Sequence, residues 1–348
     1  MVEPRKAVQR MAPYSPPSGG RAGKLRLDFN ENTVGASPRV VEAITRYLTA
    51  DALTVYPEYL ETKPALAAFF GVSPDEFILT NGTDEAIQVL VNTYVDDDDE
   101  VIVFHPSYAM YKFYAEVAGA RLRELSYGER DLSFPMDELL ATIGKETRAI
   151  LISNPNNPTG TGVGLREIER ILAAAPDAAV LVDEAYYEFS GVTALRLLPQ
   201  YPNLFVSRTF SKVYGMAALR VGCLFSQAAN VAFLHKAQSP YSVNMLAAVA
   251  ARAAVADVEY VSSYVSEVLA ARELCYQGFE ALGVEYYRSE ANFVLFRAGS
   301  RSIEIRDKLR DRGVLVRDRS YEISGCVRVT VGTRAQVRRF LAELETLL

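Results

Sequence analysis

The sequence predicts an α/β protein: a three-layer large domain built on a mostly parallel mixed sheet, joined to a smaller α+β domain. Three observations carry this. Short apolar runs alternate with amphipathic stretches through the first two thirds of the chain, which is the pattern of βαβ units. After about residue 244 the texture changes to a long Ala-rich helical stretch followed by strand-like runs. The length of 348 residues also exceeds what one ordinary core organises.

The segment MAPYSPPSGGRAG is rich in Pro and Gly and reads as an extended arm. Residues 1–44 are assigned to this arm and its surroundings, packed with the small domain. The large domain, 45–244, carries buried strands at 77–80, 101–104, 149–153, 180–183, 204–207 and 221–225. Between them, 84–94 and 165–174 place apolar residues at helical spacing. The acidic run 96–100 reads as a solvated turn before a strand rather than a metal loop. The small domain, 245–348, contains a helical stretch at 245–281, the run ANFVLF, a helix near 303–312, the run VRVTV and a closing helix.

Composition excludes several classes. A net charge of −6 argues against a nucleic-acid binder, which needs a basic face. Cys223, Cys275 and Cys326 are far apart and form no CxxC pair, so disulfides are not expected and a reducing cytoplasm is. With His105 and His235 as the only histidines, no His-rich metal site is expected. No apolar run is long enough for a membrane span, and the first residues lack the apolar core of a secretion signal.

The chemistry-bearing motifs fall at expected strand ends. Lys212 ends SRTFSK, on an expected strand-to-helix loop with hydroxyls at Thr209 and Ser211, and Arg220 follows eight residues later. An amine that forms a Schiff base must be held and partly desolvated. A nearby guanidinium and hydroxyls suit a phosphate. Asp183, in VLVDEAY, sits where open α/β sheets hold ligands and can pair with a protonated ring nitrogen; Tyr186 can donate to a ring oxygen. Asn157, in the Pro-stiffened loop NPNNPTG, offers a second such donor. In TNGTDE, Gly82 permits a tight turn, and the free N–H groups of Thr83 and Asp84 open a helix as an anion site. Tyr108, in HPSY, can stack on a flat ring. Taken singly, each motif has a plainer reading as a cap, a turn or a solvated side chain; together they make one ligand site. Gly160, Gly162 and Gly164 follow a GxGxG spacing behind a Pro-rich loop, which fails the context of a dinucleotide fingerprint.

The set NGTDE, NPNNPTG, VDEAY and TFSK with its downstream Arg resembles the fold-type I aminotransferases that use pyridoxal 5′-phosphate (PLP). The closer resemblance is to the histidinol-phosphate aminotransferase family, of the class II subgroup. It rests on LDFNENTVGASP, VYPEY, SKVYGMAALRVG, SPYSVN and VRDRSYEISGCVRVTVGT and spans nearly the whole chain. This resemblance implies that Lys212 is the catalytic, aldimine-forming lysine. Asp183 is implied to pair with the ring nitrogen, Tyr186 and Asn157 with the phenolic oxygen, and Tyr108 with the ring face. Thr83, Asp84, Thr209, Ser211 and Arg220 would bind the cofactor phosphate. Tyr56 would reach the phosphate from the partner subunit of a homodimer. Arg328, Arg317 and Tyr14 would bind substrate. Two departures stand out: Ala218 replaces the Gly of the family's AGLR, and the stretch between Arg317 and Arg328 is short.

The implied reaction is ping-pong transamination of L-histidinol phosphate with 2-oxoglutarate, giving imidazole acetol phosphate and L-glutamate, a step of histidine biosynthesis. An aromatic amino-acid aminotransferase is the alternative. A PLP decarboxylase of a phosphorylated amino acid and a non-enzymatic PLP sensor are the remaining readings.

Overall fold

Alternation along each apolar run decides how the central sheet is covered. In the strand Thr147–Ser153, Ile150 and Ile152 face one apolar cluster while Ala149 and Leu151 face another. The same split divides Val180 and Val182 from Ala179 and Leu181. Side chains of successive residues leave a strand on opposite sides, so runs that are apolar throughout must be buried on both. The computed structural model, which describes residues 2–13 and 20–348, has this three-layer arrangement.

Seven strands form the central sheet in the order Phe77–Thr80, Gly222–Phe225, Leu204–Thr209, Ala179–Asp183, Thr147–Ser153, Glu100–His105 and Arg121–Ser126. Gly222–Phe225 runs antiparallel to both neighbours; the other pairs are parallel. One face is covered by helices that include Gly82–Tyr94 and Ala228–Ala237, the other by helices that include Leu165–Ala174 and Met245–Ala256.

The parallel strands share one carboxyl edge, where Asp183 ends its strand and the loops carrying Tyr108 and Asn157 emerge. Open α/β sheets leave a ligand crevice at such an edge.

A four-stranded antiparallel sheet closes this edge from the side. Its order is Arg317–Asp318, Cys326–Thr330, Phe293–Arg297, Tyr286–Tyr287. Leu25–Arg26 pairs with Val314–Leu315, and the Leu27 carbonyl accepts from the Thr330 N–H at 2.9 Å. These bonds carry residues 27–32 across the mouth of the crevice.

Three expectations need correction. Lys212 does not lead into a helix: the chain passes through a loop and the short 3-10 turn Ala217–Leu219 into Gly222–Phe225. The helical stretch expected at 245–281 divides at Asp257 into Met245–Ala256 and Val258–Leu282. The sheet also gains Arg121–Ser126, an edge strand whose mostly exposed sequence RLRELS carries no buried run. Ala218 does not adopt positive φ, so a glycine is not required there.

Candidate active site

A cavity of about 590 Å3 lies between the sheet's carboxyl edge and the four-stranded sheet. The expected cofactor residues converge on it. Thr83, Asp84, Tyr108, Asn157 and Asp183 line it, as do Tyr186, Thr209, Ser211, Lys212 and Arg220. So do both expected substrate arginines, Arg317 and Arg328.

Lys212 Nζ donates to the Phe29 carbonyl at 3.1 Å and stands 5.8 Å from the centre of the Tyr186 ring. Its amine is therefore held by residues from two distant parts of the chain. Asp183 ends its strand fully inside the protein. Its carboxylate accepts from Tyr111 Oη at 2.7 Å and Ser207 Oγ at 2.8 Å. Burial pushes the carboxyl up to about 6, against the pull of those two hydroxyls. No basic side chain within the protein neutralises it by ion pairing among the described residues. A protonated ring nitrogen would supply that missing charge.

The anion end is built around Gly82. Its φ of +74° turns the strand Phe77–Thr80 into the helix Gly82–Tyr94, and a Cβ there would stand 3.0 Å from Arg220 Cζ. Asn81 provides no side-chain cap, so the first N–H groups of this helix remain available. Arg220, itself at φ +55°, reaches Ser211 Oγ at 3.4 Å and Asp84 Oδ2 at 3.2 Å. Asp84 also accepts from Tyr108 Oη at 2.7 Å, and burial together with that carboxylate pushes the Tyr108 phenol well up. The side chain of Asp84 thus fixes Arg220 and Tyr108, leaving its backbone N–H for a ligand.

Tyr186 Oη accepts from Asn30 Nδ2 at 2.9 Å, so its own hydrogen remains to be donated. Asn157 Oδ1 accepts from Arg328 and, at 3.3 Å, from Arg319. The donor set fits PLP: an amine, a buried carboxylate lacking a cation, two ring-oxygen donors and an anion cradle that a Cβ would fill.

On the opposite wall, Arg317 and Arg328 face each other across paired strands. The short stretch between them is a tight loop that preserves this register, with Gly325 at φ +71°. Arg328 is buried; its Nη2 donates to the Asp28 carbonyl at 2.6 Å, while its Nε has no partner. Burial, and then the nearby Arg319, disfavour its charged form and push its pKa below the ordinary arginine range, a cost that a bound anion offsets.

Sequence reasoning did not identify Tyr111, Ser207, Asn30 or Arg319. Tyr111 follows Tyr108 by three residues and shares its side of a helical turn, which was a usable signal. Arg319 is two residues after Arg317, the spacing that returns a strand to one face. Ser207 and Asn30 carried no local signal. Tyr56 does not line this cavity: it is 73% exposed and its ring lies 4.7 Å from that of Tyr241. Tyr14 lies outside the described residues. Gly160 serves close packing, since a Cβ there would stand 2.8 Å from Ser289 Cα. No grouping of three or more metal-ligating side chains occurs among the described residues. None of the described helices is long and apolar enough to cross a membrane.

The model of the family described as aminotransferase class I and II matches residues 22–344. The chain belongs to this family. The aminotransferase is 38% identical to a histidinol-phosphate aminotransferase of Symbiobacterium thermophilum, over 100% of this chain and 99% of the relative. It is 35% identical to that of Thermococcus gammatolerans, over 97% of this chain and 95% of the relative. Among solved structures, it resembles a histidinol-phosphate aminotransferase from Sinorhizobium meliloti in complex with pyridoxal-5′-phosphate. That likeness has a TM-score of 0.88 at 23% identity, covering 99% of this chain and 98% of the other, and supports the fold.

Proposed function

We propose that this aminotransferase is a PLP enzyme that converts L-histidinol phosphate and 2-oxoglutarate into imidazole acetol phosphate and L-glutamate, within histidine biosynthesis. The observation that carries the substrate assignment is the facing pair Arg317 and Arg328 in the same cavity that Lys212 and Asp183 line. A phosphate dianion suits two guanidiniums better than a lone carboxylate does. The names of the relatives point to the same substrate.

When bound, PLP supplies an electron sink for charge released at the substrate's α-carbon. Asp183 would pair with the protonated ring nitrogen, and Tyr186 Oη and Asn157 Nδ2 are the donors that would serve the phenolic oxygen. Thr83 and Asp84 N–H groups, Thr209, Ser211 and Arg220 hold the phosphate. Lys212 Nζ would hold the cofactor covalently and, when free, would serve as the base and acid that moves the proton of the substrate's α-carbon. Tyr108 covers the ring.

The working form is a homodimer in the cytoplasm. Tyr56, outside its own cavity, reaches the partner's phosphate site. Leu53, Val55, Leu60 and Tyr241 are exposed with it, an apolar surface suited to a second copy. Cys223, Cys275 and Cys326 are buried and unpaired, in keeping with a reducing compartment. The arm with its neighbours (1–44), the PLP-binding region (45–244) and the C-terminal region (245–348) act as the three domain-level units.

Single-turnover half-reactions with histidinol phosphate, phenylalanine and tyrosine test the substrate. We expect histidinol phosphate to bleach the bound cofactor's visible band fastest. Comparable rates for the aromatic acids and none for histidinol phosphate would assign an aromatic amino-acid aminotransferase instead.

A further inference from the structure

The carboxamide of Asn157 faces two guanidiniums. Its Oδ1 accepts from Arg328 Nη1 and from Arg319 Nη2. An amide carries its acceptor on one atom and its donors on the other, so turning it over would set an NH2 against two cationic donors. The pair therefore fixes Nδ2 as the group left for the cavity.

Arg328 by itself is an unreliable keeper of that orientation, because its guanidinium is one that an anionic substrate engages. Arg319 is differently placed. It is 8% exposed, and its Nη1 donates to Tyr321 Oη at 2.6 Å and lies 3.1 Å from Glu322 Oε2. Its backbone is tied on both sides: its N–H donates to the Cys326 carbonyl at 2.9 Å, and its carbonyl accepts from the Glu322 and Ile323 N–H groups. Swinging Arg319 toward a substrate would break these side-chain bonds. Glu322 also offsets its charge, which leaves Arg317 and Arg328 as the stronger attractors for an anion.

We propose that Arg319 is a positioning residue, held by Glu322 and Tyr321, that keeps the Asn157 amide donating into the cavity while substrate occupies Arg328. The inference rests on the PLP reading of the cavity, in which Asn157 Nδ2 serves the ring's phenolic oxygen. Donation to an ionised oxygen lowers its pKa, and a loosened amide lets that pKa rise.

The test is a titration of the bound cofactor's visible absorbance across neutral pH in holoenzymes saturated with inorganic phosphate, a non-reacting anion that engages Arg328 in place of substrate. The set is wild type, Arg319→Met, Arg319→Lys, Asn157→Ala, and Arg319→Met combined with Asn157→Ala. We expect Arg319→Met to raise the midpoint by roughly 0.5–1 unit and Arg319→Lys to recover part of it. The double variant should move no further than Asn157→Ala alone. An unmoved midpoint in Arg319→Met, or shifts that add in the double variant, would overturn the proposal. So would a raised KM for histidinol phosphate with an unmoved midpoint, which makes Arg319 a substrate ligand. Should Arg319→Met not fold, Tyr321→Phe and Glu322→Gln loosen the same guanidinium. Each must then raise the midpoint, and no rise in either overturns the proposal. A wild-type chain that binds no PLP removes the site reading and this inference together, whereas bound PLP with an unmoved Arg319→Met midpoint removes only the latter.

Discussion

Replacing Asp183 with Asn separates what the site does for the fold from what it does for catalysis. The carboxyl ordinarily titrates at 3.8, and its burial pushes it up to about 6. At about 1.36 kcal/mol per pKa unit, ionising it in the cofactor-free protein costs on the order of 3 kcal/mol. The folded-state value is raised, so the native chain binds more protons than the unfolded chain between about pH 4 and pH 6; stability falls as pH rises through that window. An amide at 183 keeps the volume and carries no charge. It accepts from one of the Tyr111 and Ser207 hydroxyls and obliges the other to turn, at a cost of about 1 kcal/mol. Cofactor-free Asp183→Asn should therefore be more stable than wild type by about 2 kcal/mol near pH 8, and lose that advantage near pH 4. Urea unfolding at both pH values measures it. Glu188, pushed up to about 7, and Glu184 titrate alike in both proteins and cancel in the difference. With PLP bound the sign reverses: removing a buried counter-charge costs about 3–5 kcal/mol, a loss of roughly two to four orders of magnitude in kcat. Equal pH dependence in the two cofactor-free proteins, or near-normal kcat in the variant, would refute the role given to Asp183.

Gly82→Ala sets a Cβ 3.0 Å from Arg220 Cζ at a φ of +74°; we expect PLP affinity, read by fluorescence titration, to fall about tenfold or more. Arg317→Ala removes a charge-assisted contact of about 1.5–3 kcal/mol, so KM for histidinol phosphate should rise roughly ten- to hundredfold while phenylalanine turnover changes little. Leu60 is 79% exposed, and Leu60→Asp should turn a sedimenting dimer into monomer if this surface joins two copies. An unchanged sedimentation coefficient would remove Leu60 from that contact.

The sequence was most legible where burial is two-sided. Phe77–Thr80 and Leu165–Ala174 lie at the predicted positions, because an uninterrupted apolar run and a strict helical stripe each have one good solution. Arg121–Ser126 escaped because an edge strand half open to water need not be apolar. The helix break at Asp257 escaped because the sequence on either side of it supports a helix, Ala-rich before it and carrying a buried stripe after it. At the cavity, residues with a motif of their own were found, and those acting through another residue were not. Asp183 was visible from its strand end, whereas Ser207, which orients it, stands on the neighbouring strand at the paired position. Asn157 was visible from its loop, whereas Arg319 meets it from 162 positions along the chain. Such long-range partners are set by packing, which local periodicity does not encode.

Borohydride reduction of the PLP-loaded enzyme followed by peptide mapping tests the central assignment most directly. Reduction makes the bond between cofactor and amine permanent, so the modified residue can be identified by mass. The cavity lined by Lys212, Asp183 and Arg220 predicts one pyridoxyl group per chain, on Lys212. A label on another lysine, or no label on a chain that turns over substrate, would contradict it.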